Sequence, residues 1–359
     1  QKAWLMHARA TRILPKPISE AAVSGLIKAV LAGSDQADQL AALAIEKAEG
    51  NPLYAEEIAK FLLQRQASID AGAPLSGDIV LPTNLQNMVM ARFDKLGPAC
   101  RKLLQAASAI GRRFDAEMAH GIVAGAAPFN PALLEEAVAA EVILPTRSGY
   151  QFKHALVQDA IYDTLLRGQR RDLHARIAQA LEHRFSNRAE ETAEALAYHF
   201  DEAEMPAKAV PHLIAAGSRN LNLFSLEVAG TSFARAFELT EEFKLDPEPA
   251  LMGELFSGWF EVQQWRAEFG RIVTLFETQR ARVDRIEGHP TYPRILALAG
   301  TAYCQNKHFK SAEKLFEQAI EIGERSGDDD AITHGCLGLM VMHCSAPGPG
   351  YWDKVRALS

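Results

Sequence analysis

Two short segments hold the residues whose type and placement suit ligand chemistry: Gly50-Asn51-Pro52 and His154. A helix that stops at a glycine and restarts at a proline leaves backbone N–H groups and a fixed turn open to a ligand. The same three residues also read as a plain helix-to-helix turn. His154 stands just before a helix predicted to begin near Ala155, so its ring and the free N–H groups of the first turn can face an anion together. The bland alternative is a partly exposed histidine at a strand end. Elsewhere the acids and histidines form no nucleophile elbow and no His-Glu-x-x-His helix. A Walker A loop, whose backbone wraps phosphates, needs Gly-Lys-Ser/Thr, and no Gly-Lys pair occurs. His334, Cys336, His343 and Cys344 are close in sequence, but the apolar, helix-patterned segment that carries them reads as core or groove, not as a metal cluster.

The 359 residues, 48% hydrophobic and 23% charged, suit two or three ordinary globular domains. A formal charge of -7 argues against nucleic acid as the main partner and against a membrane-surface role. Apolar runs such as Leu337 to Met342 are far shorter than the ~20 residues of a membrane-spanning helix. Four cysteines without a disulfide-framework spacing point to a reducing compartment, by default the cytoplasm. A first residue that is not Met, and a helix-like Tyr351 to Ser359 without a terminal cap, are expected of a chain that continues at both ends.

Helical periodicity dominates from Ser19 onward, and the expected fold is almost all-α. Ser19 is a candidate N-cap for a helix burying Val23, Leu26, Ile27 and Val30, followed by a helix over about Gln36 to Ala48. After Pro52 a third helix buries Leu53, Ile58, Phe61 and Leu62, with Glu56 and Glu57 near its positive end. The Gly/Pro/Ser-rich stretch from Ala71 to Pro82 reads as a linker. Beyond it come helices carrying Leu85 to Phe93 and Cys100 to Ala107, a helix capped by Asp115, and another opening at Asn130-Pro131. Val142 to Leu144 and Tyr150 to Phe152 then read as a hairpin about Arg147-Ser148-Gly149. Three helices followed by a hairpin make a winged-helix arrangement. From about Glu190 the sequence repeats: Ala229, Phe233 and Ala236 lie 12, 16 and 19 residues after Gly217, as Ala312, Phe316 and Ala319 do after Gly300. That is a tetratricopeptide-like pattern, with a degenerate middle unit around Gly258 and Leu255 to Arg282.

Taken in order, these segments resemble the STAND class of ATPases, and within it the large bacterial proteins that join adenylate or guanylate cyclase domains to an ATPase module and tetratricopeptide repeats. The resemblance rests on Ile13-Leu14-Pro15 through Leu31, Gly50-Asn51-Pro52-Leu53-Tyr54-Ala55-Glu56-Glu57, Leu81-Pro82 to Leu96, Ile110 to Phe114, and Phe152-Lys153-His154-Ala155-Leu156 through Tyr162. It implies a helical ATPase subdomain over 1–71, a linker over 72–81, a winged helix over 82–185 and a repeat array over 190–359. It implies ATP or ADP as cofactor, with Mg in the parent polypeptide, and P-loop and cyclase domains upstream as partners. Gly50, Asn51 and Pro52 would close over the adenine and His154 would contact phosphate; the repeats would sense a protein or small-molecule inducer. This chain, lacking the P-loop, would be the control portion.

Two other readings stand beside it. A winged helix can bind DNA, but the third helix, Pro131 to Glu141, carries Glu135, Glu136 and Glu141 and no Lys or Arg, and such a helix repels phosphates. A scaffold that binds a partner in the groove of its repeats is compatible with the sensor reading. Trp259, Phe260, Trp265 and Phe269 either line that groove or pack the core.

Overall fold

The computed structural model describes residues 18–30, 48, 51–60, 85–125, 127–185 and 189–345. Gly50, the helix over Gln36 to Ala48 apart from Ala48, and the linker at 72–81 lie outside them. The chain divides into two compact units, one ending at Leu166 and the other beginning at Arg167. The winged-helix expectation over 82–185 spans that division, because its last helix packs with the repeats. No helix among the described residues is long and apolar enough to cross a membrane.

In the first unit, α1 (Glu20–Val30) buries Val23 and Ile27 four residues apart, and Ser19 accepts from the Ala22 N–H at 3.3 Å. Residues 52–60 form α2, and α3 is Leu85–Phe93. Gly97-Pro98 stops one helix and starts the next, since proline suits a first helical position that needs no N–H. The resulting α4 (Pro98–Ile110) buries Cys100, Leu103, Leu104 and Ala107 along one stripe. β1 (Arg113–Phe114) follows. The Asp115 carboxylate accepts from the N–H groups of Glu117 and Met118 at the head of α5 (Ala116–Ala124). After α6 (Ala132–Ala139) come β2 (Ile143–Thr146), β3 (Gly149–Phe152) and α7 (Ala155–Asp163). The sheet is antiparallel in the order β1-β3-β2, with Phe114 opposite Tyr150 and Ile143 opposite Phe152. Phe93, Leu104, Phe114, Leu134, Ile143, Phe152 and Ile161 close one core beneath it. The hairpin is where the sequence places it; β1 has two residues, too few for a period to show.

The second unit is an antiparallel helical array: α8 (Arg167–Arg184), α9 (Ala189–Glu202), α10 (Pro206–Asn222), α11 (Leu226–Glu242), α12 (Pro249–Trp265), α13 (Phe269–Thr278), α14 (Arg280–Asp284), α15 (Thr291–Gln305), α16 (Phe309–Ser326) and α17 (Asp329–Ser345). The degenerate middle repeat is the one whose second helix breaks, at Gln279, into α13 and α14. Phe233 and Phe316 are fully buried. Each is held between two glycines: Phe233 against Gly217 and Gly258, and Phe316 against Gly300 and Gly338. Gly258 therefore serves the repeat before it.

Tight turns join these helices. Glu204, Phe224, Lys244, Ala267 and Lys307 all adopt left-handed backbone conformations, φ between 49° and 64°. The residue after each donates back into the preceding helix, as Ser225 N–H does to the Asn220 carbonyl at 2.8 Å and His308 N–H to Tyr303 at 2.9 Å. After α16 this position is a glycine, Gly327 at φ 71°. A side chain in this conformation costs roughly 1–2 kcal/mol, part of it recovered because glycine is more disordered when unfolded. Lys307→Gly is therefore expected to stabilise the array by about 0.5–1 kcal/mol, and Gly327→Ala to destabilise it by about the same. Urea-unfolding midpoints moving the opposite way for this pair would reject the assignment.

Candidate functional site

Asn51 begins α2. Its side-chain oxygen accepts from the N–H groups of Leu53 at 3.1 Å and Tyr54 at 3.3 Å, which satisfies two of the donors a helix start leaves open. Asn51 and Pro52 are both exposed. The next turns of α2 are buried: Ala55, Glu57, Ile58 and Ala59. Ala55, Ile58 and Ala59 share one face at helical spacing, whereas Glu57 lies on another, one turn after Leu53, where it is buried against Arg92.

His154 is the N-cap residue of α7, in extended conformation, and its side chain makes no capping bond. Its position follows from β3: the strand ends at the buried Phe152, Lys153 N–H returns to the Val142 carbonyl at 3.1 Å, and the chain then turns into α7. A shallow cleft of about 10 Å³, room for about one water, lies between these two helix starts. It is lined by Leu53 and Glu57 of α2, Arg92 of α3, Glu141 and Val142 ahead of β2, and His154, Leu156 and Val157. The structure thus brings His154 together with the helix that Pro52 opens, a hundred residues earlier in sequence. Leu53 and Glu57, not Asn51 or Pro52, face the cleft.

The cleft's floor is charged. Glu57, 2% exposed, approaches the Arg92 guanidinium at 2.5 Å. The contact is one of charge against charge, because neither Glu57 oxygen has an aligned hydrogen-bond donor among the described residues. His154 Nε2 is likewise buried and without a hydrogen-bond partner there. Three polar atoms without a hydrogen-bond partner in one cleft cost stability unless a polar group enters. Burial pushes the His154 imidazole below its usual titration range, and the Lys153 ammonium adds to this against the opposing pull of Glu57 and Glu56. At pH 7 the ring is therefore neutral, able to donate from one nitrogen and accept at the other.

One rim of the cleft is an ion-pair network. Glu141 receives Lys153 at 2.5 Å and Lys60 at 2.6 Å, and Lys60 also meets Glu56 at 2.8 Å. Hydrogen bonds from Lys153 and Lys60 hold the Glu141 carboxyl down at about 2. Glu141 occupies the left-handed region, φ 56°, so a strained turn aims this carboxylate at both lysines. The helix expected over Pro131 to Glu141 thus ends before Glu141. Of its other acids, Glu136 accepts from the Gly97 N–H at 3.1 Å.

Sequence reasoning selected His154 and the start of α2 but did not select Arg92, Glu141 or the lining role of Glu57. The available signal is the pair of adjacent glutamates, Glu56 and Glu57, on a helix otherwise rich in apolar residues. The four expected groove aromatics separate: Phe260 is buried, Trp259 packs on Phe237 at 5.1 Å, Phe269 is half-buried, and Trp265 is 58% exposed against an exposed Phe224. His334 turns its Nδ1 to the Asp330 carbonyl at 2.7 Å along its own helix. Among the described residues no three His, Cys, Asp or Glu side chains are grouped as metal ligands.

No protein-family model matches the chain. An uncharacterised protein of Rhizobium meliloti (strain 1021) is 27% identical over 247 residues, which take up 66% of this chain and 24% of that protein. The match thus spans about a quarter of the relative's length. Among solved structures, the Signal Transduction ATPase with Numerous Domains (STAND) protein with a tetratricopeptide repeat sensor from Pyrococcus horikoshii aligns with a TM-score of 0.34 and 11% identity. That alignment covers 97% of this chain and 60% of the other.

Proposed function

We propose that this chain is the regulatory and sensor portion of a STAND-type, ATP-dependent signalling switch, carried in a longer polypeptide with P-loop and adenylate cyclase-like domains. The observation that supports the reading is the cleft at which the start of α2 and His154 meet. Its Glu57 oxygens and His154 Nε2, which have no hydrogen-bond partner among the described residues, offer contacts to polar groups of a ligand, and Leu53, Val142, Leu156 and Val157 offer it an apolar edge. In this reading the unit containing α3 to α7 is a winged helix. Pro52, exposed and outside the lining of the cleft, offers a rigid apolar edge to the base of ATP or ADP, and His154 within it offers a hydrogen bond to the phosphates. The Mg ion and the phosphate cradle belong to the P-loop domain.

Nucleotide held by these residues favours a closed form, and an inducer on the repeats favours an open one; each ligand shifts the balance by its differential affinity for the two states. In the polypeptide that carries this chain, His154→Ala is expected to speed ADP release tenfold or more, the loss of one strong hydrogen bond, and to raise basal output. Unchanged ADP retention in a filter-binding chase defeats the proposal.

A second reading, a repeat array that serves as an interaction scaffold, is favoured by the exposed aliphatic and aromatic side chains of Leu223, Phe224 and Trp265 on the array. It differs from the first in requiring no nucleotide.

A further inference from the structure

The first helix of the repeat unit is held differently from those after it. Of the 18 residues of α8, only His174, Ile177 and Ala178 are buried, with Leu181 half-buried on the same stripe. One of the three buried positions is thus a histidine, and it meets another from α9: His174 Nδ1 lies 2.8 Å from His199 Nδ1, with the two residues 0% and 4% exposed. At that distance one ring donates and the other accepts, so the bond survives with at most one of the two rings protonated. A first proton leaves a cation in a site that water does not reach, and a second removes the acceptor and sets two charges face to face. Arg170 faces the pair from α8, and Tyr198 from α9 packs edge-on against both rings. Besides the apolar contacts of Ile177, Ala178 and Leu181, the ties of α8 include surface ion pairs. Arg167 and Arg171 meet Glu204 at 2.6 and 3.2 Å, and Glu182 meets Lys208 at 3.8 Å and His212 at 3.6 Å. Exposed pairs of this kind hold weakly.

We propose that α8 is a proton-released clasp: proton uptake by the His174–His199 pair detaches this helix from α9 while the repeats from α15 onward stay folded. Burial lowers both imidazoles from 6.5 to about 4, with Arg170 adding to the effect on His174 and His174 to that on His199. With the attached-state values depressed, stability is complete above about pH 6.5 and is lost as the pH falls from there towards 4. The surface carboxylates protonate mainly below pH 5, so the interval from 7 to 5 isolates the histidines. A buried neutral pair serving only as packing could be apolar. This one makes the attachment of α8 conditional on pH.

The test is hydrogen exchange on the 359-residue chain at pH 7 and pH 5, corrected for intrinsic rates. Amides of residues 173–182 are expected to lose about a hundredfold or more in protection, while those of α15 and α16 change by less than about threefold. In His174→Gln/His199→Gln, whose amides can bond each other without titrating, the loss is expected to shrink below about tenfold. The proposal is overturned if α8 stays protected at pH 5, or if the double variant loses protection to the same extent. Should that variant fail to hold α8 at pH 7, imidazole NMR of the unmodified chain decides. Midpoints below about 5 for both rings support the clasp, and a midpoint near 6.5 with α8 still protected overturns it.

Discussion

Gly258→Ala is expected to destabilise the repeat unit by roughly 1–3 kcal/mol, even though alanine is the better helix former by ~1 kcal/mol. A Cβ at Gly258 would stand 2.4 Å from the Phe233 ring, and one at Gly217, on the ring's other neighbour, 2.8 Å. Phe233 is fully buried between two helices that each lack a side chain where it passes, so the ring cannot retreat from one glycine without meeting the other. Phe316 repeats the arrangement, with 2.8 Å at Gly300 and 2.2 Å at Gly338. Phe233→Ala is expected to cost more, about 3–5 kcal/mol, from lost burial and the cavity left behind. Gly270→Ala in α13, where a Cβ meets nothing within 4 Å, is the control, neutral or stabilising by up to ~1 kcal/mol. Urea titrations followed by circular dichroism measure all three. If Gly258→Ala raises the midpoint as the control does, the interlocked ring is not what holds adjacent repeats.

Arg92→Ala is expected to destabilise the N-terminal unit by about 3–5 kcal/mol, because it leaves the Glu57 carboxylate buried without its counter-charge. The two side chains are 13% and 3% exposed, so water reaches neither well enough to replace the partner. Glu57→Leu/Arg92→Met, which removes both charges and keeps the volume, is expected to cost less than Arg92→Ala alone. The same double variant also takes the charge from the floor of the cleft. It therefore separates the pair's part in stability from its part in ligand binding: a folded protein with altered ligand binding assigns the pair to the site. Equal destabilisation by the single and double variants, read from thermal unfolding of the unit, rejects the buried-charge account.

The repeats were legible because their signature is local. A glycine followed at fixed intervals by alanine, phenylalanine and alanine reports which faces of two consecutive helices must touch, and α10 with α11 and α15 with α16 fall there. Gly258 was legible as a repeat marker but not as the second jaw on Phe233, since that contact joins one repeat to the next. The break at Gln279 has no proline or glycine to announce it. The left-handed turns at Glu204, Phe224, Lys244, Ala267 and Lys307 are invisible to a reading that expects glycine there. Their conformation is imposed by the closing of the turn, with its bond back into the preceding helix.

The candidate site divides in the same way. By itself the sequence determined the almost all-α class, the hairpin, the start of α2 and the place of His154 ahead of α7, because caps, prolines and periodicity act within a few residues. The tertiary structure alone decided that α2, Arg92, Glu141 and His154 share one cleft, that Asn51 spends its side chain on its own helix, and that Glu57 is buried with Arg92. It also decided that His174 and His199, which carry no motif, face each other at 2.8 Å. The physical reason is range. Hydrogen bonds along a helix are fixed by neighbours in sequence, whereas the burial of a charge or an imidazole depends on which distant apolar stripe closes over it.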